Sequence, residues 1–239
     1  ASASPHVWDR ANSLTVSLLD PADTLESVSE AAILDGANAC LVGDEVIQFR
    51  DAALIAPGTW RLSTLLRGRR GTLPAAHAAG ARFVLLSGGV GIARIALPIA
   101  ERGLARQWRA VSIGTRLEDA PVISLAWQAR ALLPLAPLHA RGERNAAGDL
   151  AIRWIRRTRL AAPWVDHVDA PLGEASEAYQ IDIMAGPSVK RTIATSVPEA
   201  VYCAAAQIAD FGSLQSAVTC RIYQLSERVG RGQALEVTL

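Results

Sequence analysis

Lysine is almost missing from this chain. Of 24 basic residues, only Lys190 is a lysine; the others are arginines. Positive charge is therefore carried by planar, forked donors that suit bidentate pairing. Net charge is missing too: 24 basic residues face 23 acidic ones, for a formal +1. No whole-molecule field draws in nucleic acid or a membrane surface. The three cysteines, Cys40, Cys203 and Cys220, are too few and too scattered for a disulfide framework or a zinc site, and read as buried free thiols. No apolar run approaches the roughly 18 residues of a helical membrane span, and no signal peptide is visible. The chain opens on "ASASPHVW" without methionine, which is expected of a fragment of something larger.

Catalytic signatures are equally scarce. None of the four histidines has a second at ligand spacing, and His167, in "WVDHVD" beside Asp166 and Asp169, reads as part of a solvated loop. There is no G-x-S-x-G elbow. "GGVGIARI" has the glycines of a phosphate loop but not the Gly-Lys-Ser/Thr ending that places an ammonium and a magnesium ligand. The expectation is a protein that is not an enzyme, with no catalytic residue, no cofactor and no metal.

What is present is strand signal. "NSLTVSLLD" puts Leu14, Val16 and Leu18 on one face. "DTLESVSEAAILDG" carries helix punctuation, with Asp23 or Thr24 as cap, Gly36 as stop, and Leu25, Val28 and Ala32 on one face. Next comes a meander with hairpin turns at "GDE" and "APGT", then a strand at "ARFVLLS". "GIARIALP", "LARQWRAVSIG" and "APVISLAWQ" are weaker strands. "ALLPLAPLHA" reads as a linker entering an edge strand. Six more short strands follow at regular spacing, starting with "GDLAIRWIRRTR", and make seven with that edge strand; "AAAQIADFG" reads as a helical turn between two of them. The fold class is mainly β: a mixed β domain with one helix at 1–134, then a fibronectin type III-like β-sandwich at 135–239.

Two arginine clusters stand out. In "WRLSTLLRGRRGT", alternation places Trp60, Leu62, Thr64 and Leu66 on one face and Arg61 on the other. Gly68 and Gly71 permit backbone that a β-carbon penalises. Arg67, Arg69 and Arg70 are expected to tie the turn to carbonyls or to acids such as Asp44, Glu45 or Asp51, rather than to bind phosphate. In "RWIRRTR", Trp154 faces the core, while Arg153, Arg157 and Arg159 share an outward face, with Arg156 between them. Pairing with Glu174 and Glu177 is the favoured use; a glycan, protein or nucleic-acid contact is the rival. Trp164 sits among prolines and acids, either stacking on a sugar or partner or lidding the sandwich. The loop from Trp164 to Glu174, which holds His167, and the "SERVGRG" turn with Arg228 and Arg231 are the candidate contact surfaces.

These runs have a family likeness. "LESVSEAAILDGANACLVGDEVIQFRDAALIAPGTWRLSTLLRGRRGT" with "HAAGARFVLL", then "IRWIRRTR", "PLGEASEAYQIDI", "YCAAAQIADFG" and "RIYQLSERVGRG", resembles the C-terminal portion of the tail hub, or host specificity, proteins of gene transfer agents and long-tailed phages. The resemblance implies a structural component of a tail tip or baseplate hub that serves tail assembly and host-surface attachment. It implies a homotrimer within the full-length hub, other tail-tip proteins as partners, and a surface glycan or receptor as target. It also implies residence at the distal tip of a virion-like particle, after synthesis in the bacterial cytoplasm. Larger members of the family carry a hydrolase-like N-terminal region, and its chemistry is not carried over to these residues. The rival reading is a carbohydrate-binding module of a cell-wall-directed protein.

Overall fold

The computed structural model describes residues 5, 7–86, 92, 95–160 and 166–239. The fold is mainly β, and the chain divides into two units, Ala1–Pro98 and Ile99–Leu239. The expected junction at residue 134 lies inside the second unit.

The first unit is one antiparallel sheet. Its strands are β1 (Leu14–Ser17), β2 (Ala39–Val42), β3 (Glu45–Ala56), β4 (Thr59–Arg69) and β5 (Phe83–Leu85), in the order β1-β4-β3-β2-β5. Gly43 and Gly58 take positive φ in the two hairpin turns. One face of the sheet packs Val16, Leu25, Cys40, Ile47, Phe49, Leu62 and Leu65 into a core. Thr64 is left-handed at φ 52°, and the alternation of β4 changes there. Leu65 joins the core cluster behind Leu62, in place of the expected Thr64 and Leu66.

The helix is shorter than its punctuation suggests. α1 covers Glu30–Leu34, and its cap is Ser29, whose hydroxyl accepts from the Ala32 N–H. Residues 24–28 run extended beside β3. Val28 N–H donates to the Arg50 carbonyl at 2.9 Å, and Ser27 Oγ accepts from the Ala52 N–H at 2.9 Å. Those sheet partners outcompete helical bonds in a stretch of Thr, Ser and Val. Gln48 from β3 then closes the helix end, donating to the carbonyls of Ile33 and Ala37 at 2.6 and 2.8 Å, among the last carbonyls that a helix leaves without intrahelical partners.

The second unit begins with a two-stranded hairpin, β6 (Ala105–Arg109) and β7 (Val122–Ala126). Seven strands follow: β8 (Leu138–Arg144), β9 (Leu150–Ile155), β10 (Tyr179–Ala185), β11 (Ser188–Thr195), β12 (Glu199–Tyr202), β13 (Thr219–Ser226) and β14 (Gly230–Thr238). They form a three-stranded sheet, β12-β9-β8, and a four-stranded sheet, β11-β10-β13-β14. Inward residues of both share one core, among them Leu150, Ile152, Trp154, Tyr179, Ile181, Tyr202 and Ile222. This is the expected fibronectin-like sandwich. Trp154 meets Tyr179 edge-to-face, with ring centroids 5.1 Å apart. Between β12 and β13 lies α2 (Ala204–Phe211), stopped by Gly212 in the left-handed conformation.

Candidate functional site

The first arginine cluster is organised around one carboxylate. Glu45 opens β3, and the end of β4 lies beside it, so Arg67 faces it across the sheet. Both side chains are almost fully buried, at 1% and 4% exposure. Arg67 grips Glu45 bidentately: Nε reaches Oε1 at 2.8 Å and Nη2 reaches Oε2 at 2.7 Å. Arg67 also donates to the Ala75 carbonyl at 2.6 Å and to Asp9 Oδ2 at 3.4 Å.

The chain after β4 wraps back to the same carboxylate. Gly68 N–H donates to Oε1 at 2.8 Å, Ala75 N–H donates to Oε2 at 3.0 Å, and His77 Nε2 lies 2.8 Å from Oε2. The wrap needs its glycines. Gly68 has φ 59°, and a β-carbon there would lie 2.8 Å from Pro74 Cδ and 3.1 Å from the Thr72 carbonyl. Arg70 and Gly71, both at positive φ, complete the turn. Thr72 Oγ1 pins it, donating to the Arg69 carbonyl and accepting from the Val46 N–H. Arg69 donates to Gln48 Oε1 at 2.8 Å, while Arg70 is exposed.

The electrostatics follow from this crowding. Burial pushes the Glu45 carboxyl up, but Arg67, the two backbone N–H groups and His77 together hold it below the usual carboxylate range. Glu45 conversely raises the Arg67 guanidinium. With both Glu45 oxygens engaged, and Arg67 divided among Glu45, Asp9 and a carbonyl, the cluster works as a fastening. Of the acids considered from sequence, Glu45 is the one Arg67 uses; Asp51 pairs with Arg50 at 3.0 Å.

The second cluster differs from its expected strand geometry. β9 ends at Ile155, so outward alternation runs through Arg153 to Ile155 and does not carry Arg157 and Arg159. Beyond Ile155 the arginines turn into a loop. Arg156 donates to Asp169 Oδ2 at 2.6 Å and to the Ala170 carbonyl at 2.5 Å. Arg159 pairs with Glu174 at 2.7 Å, and donates to the carbonyls of Gly173 and Leu132. Arg157 is half-buried beside them. Glu177, the other expected partner, accepts from the Tyr179 hydroxyl at 2.6 Å instead. The stretch that follows His167 is thus stapled twice, at Asp169–Ala170 and at Gly173–Glu174. His167 is exposed, with φ 63°. Trp164 lies outside the described residues.

Arg231, expected on a turn, belongs to β14. It reaches across the sheet to the buried Asp182 at 2.6 and 3.1 Å and to Gln180 at 2.6 Å, passing 4.7 Å from the Tyr223 ring centre. Burial would raise the Asp182 carboxyl; Arg231 and Thr192 outweigh it and hold it low. Arg228 is exposed in the turn before β14.

Sequence reasoning missed two features. One is the α2 corner, where Asp210 accepts from Arg191 at 2.7 and 2.9 Å and from the Tyr202 hydroxyl at 2.8 Å. "YCAAAQIADFG" is the signal: a tyrosine and an aspartate eight residues apart, astride a helix. The other is a bulge in β8. Leu138 faces Ile155 and Arg141 faces Arg153, so His139 and Ala140 together oppose Trp154.

Residues 1–84 match the family model described as "Rcc01698-like, C-terminal". No curated protein matches the chain. Among solved structures, domains d3–d4 of the rat CD45 extracellular region align over 70% of this chain and 79% of that one, with 11% identity and a TM-score of 0.32.

Proposed function

We propose that this chain is a structural component of a phage-like tail tip, of the gene-transfer-agent kind, that serves tail assembly and contact with the host surface. One observation carries the reading. The run with the hub-like motifs, from the helix region through "LLRGRRGT" to "HAAGARFV", falls within residues 1–84 that match the Rcc01698-like C-terminal model. The physical character of the chain is in keeping with it. The motif residues are spent on holding the fold together, and a sandwich is a rigid mount for loops. The partners on this reading are further copies of the chain in a trimeric hub, neighbouring tail-tip proteins, and a surface glycan or receptor. The contact surfaces are the stapled loop with His167 and the turn with Arg228.

Disruption of the gene in the encoding organism tests the assembly role. Particles lacking distal tip density by electron microscopy are the expected result. Complete tips and undiminished DNA delivery would refute the proposal.

A further inference from the structure

The outer face of the three-stranded sheet carries a depression of about 390 Å³ lined by His139, Arg141, Arg153, Trp154 and Ile155. Pockets that hold small ligands begin at roughly 300 Å³. We infer that this depression binds the carboxylate and adjoining hydroxyls of an acidic sugar, such as a hexuronic acid unit of a surface polysaccharide.

Three observations carry the inference. Arg141 and Arg153 stand directly opposite one another across β8 and β9, an arrangement of like charges that weakens a sheet. Arg153 has carboxylates on both sides, Glu199 at 2.8 Å and Glu143 at 3.4 Å. The Glu143 contact is long, and that side chain is 79% exposed, so a ligand carboxylate can replace it at Arg153, with Arg141 on the facing strand. Second, the β8 bulge has His139 at φ 52°, in a role that suits glycine because the left-handed region crowds a β-carbon. Bulges re-aim side chains at sites, and this one sets an imidazole at the rim of the depression. Third, Ile155 stands 59% exposed beside the arginines, an apolar ledge for the C–H face of a ring.

The charge balance selects the ligand class. Two arginines against two glutamates make the site nearly neutral, which disfavours a dense polyanion such as nucleic acid or a sulfated chain. A sugar acid suits it: arginines take the carboxylate, and Glu143 and Glu199 accept from hydroxyls. A peptide joining the free edge of β8 would need an unbroken ladder, and the bulge interrupts it.

The inference deepens the surface-contact part of the tail-tip reading and uses the chain alone, so it can fail while the assembly role stands. Calorimetric titration of the full chain with oligogalacturonate tests it, with maltoheptaose, dextran sulfate and oligoglutamate as comparisons. Binding of oligogalacturonate alone is expected, weakened at least tenfold by Arg141→Ala and unchanged by Arg116→Ala, an exposed arginine between β6 and β7 that does not line the depression. His139→Gly is expected to hold or raise the melting temperature while weakening binding at least threefold, a divergence that a purely structural histidine would not give. No binding of oligogalacturonate, equal or tighter binding of dextran sulfate or oligoglutamate, or undiminished affinity in Arg141→Ala or His139→Gly would each overturn it.

Discussion

Replacing Arg67 with alanine tests the fastening most directly. The change strips Glu45 of its bidentate partner and leaves a 1%-exposed carboxylate with two backbone N–H groups and His77. Breaking a buried ion pair from one side costs about 3–5 kcal/mol, because the remaining charge is uncompensated. The surviving N–H groups place the cost towards the lower end. In a unit of this size each kcal/mol lowers the melting temperature by about 4–8 °C, so Arg67→Ala is expected to lose roughly 12 °C or more. Circular dichroism and urea unfolding measure it. Glu45→Leu with Arg67→Met provides the second arm: the double variant removes both charges and should be more stable than the two single changes summed, by more than about 1 kcal/mol. A loss below about 3 °C for Arg67→Ala, or strict additivity in the cycle, would show that the pair is not the fastening described.

Further outcomes follow from the same contacts. Gly68→Ala should cost more than about 1 kcal/mol in urea unfolding, since the residue is left-handed and its β-carbon meets the Thr72 carbonyl. Glu45, Asp9 and Asp182 all have depressed carboxyl pKa values. Their contribution is therefore complete above the unfolded values of roughly 4 and disappears as pH falls through the folded ones. Stability should be level between about pH 5 and 7 and decline steeply below about 4, as acid titration by circular dichroism will record. Burial raises the Cys40 and Cys220 thiols to about 12, whereas Cys203 is exposed. Ellman titration of the native protein should find one fast thiol, and denaturation should release the other two.

The legible parts of the fold were those governed by local periodicity. Alternation in "AIRWI" and "YQIDI" located β9 and β10, and the glycine turns located both hairpins of the first unit. Helix α1 was over-read because capping residues and apolar spacing at 23–36 describe a helix equally well when the backbone is elsewhere engaged. The bonds from Val28 and Ser27 to β3 join residues more than twenty positions apart, and no local window contains them. The same limit applied to "RWIRRTR". Strand alternation was right up to Ile155, and nothing nearby announced that the later arginines turn to the carbonyls of 170–173. At the candidate site, Glu45 was among the acids named for Arg67, but the return of residues 68–77 to the same carboxylate was beyond reach. The β8 bulge was invisible because a histidine occupies a position where glycine would have signalled it.

The Arg231 contact with Asp182 has a mechanical side. β14 is an edge strand, and just past it Leu239 is bonded to Val218. Tension on Leu239 breaks its bonds to Val218 first and then opens the ladder from Thr238 towards Arg231, near its far end. The guanidinium spans β13 to hold β10 in the middle of the sheet, so a partly peeled β14 stays moored at its far end. Moored there, it can close again only in the register it left, because a slip along β13 would carry Arg231 away from Asp182. Under load from the Leu239 side, β14 can thus yield and recover the same pairing.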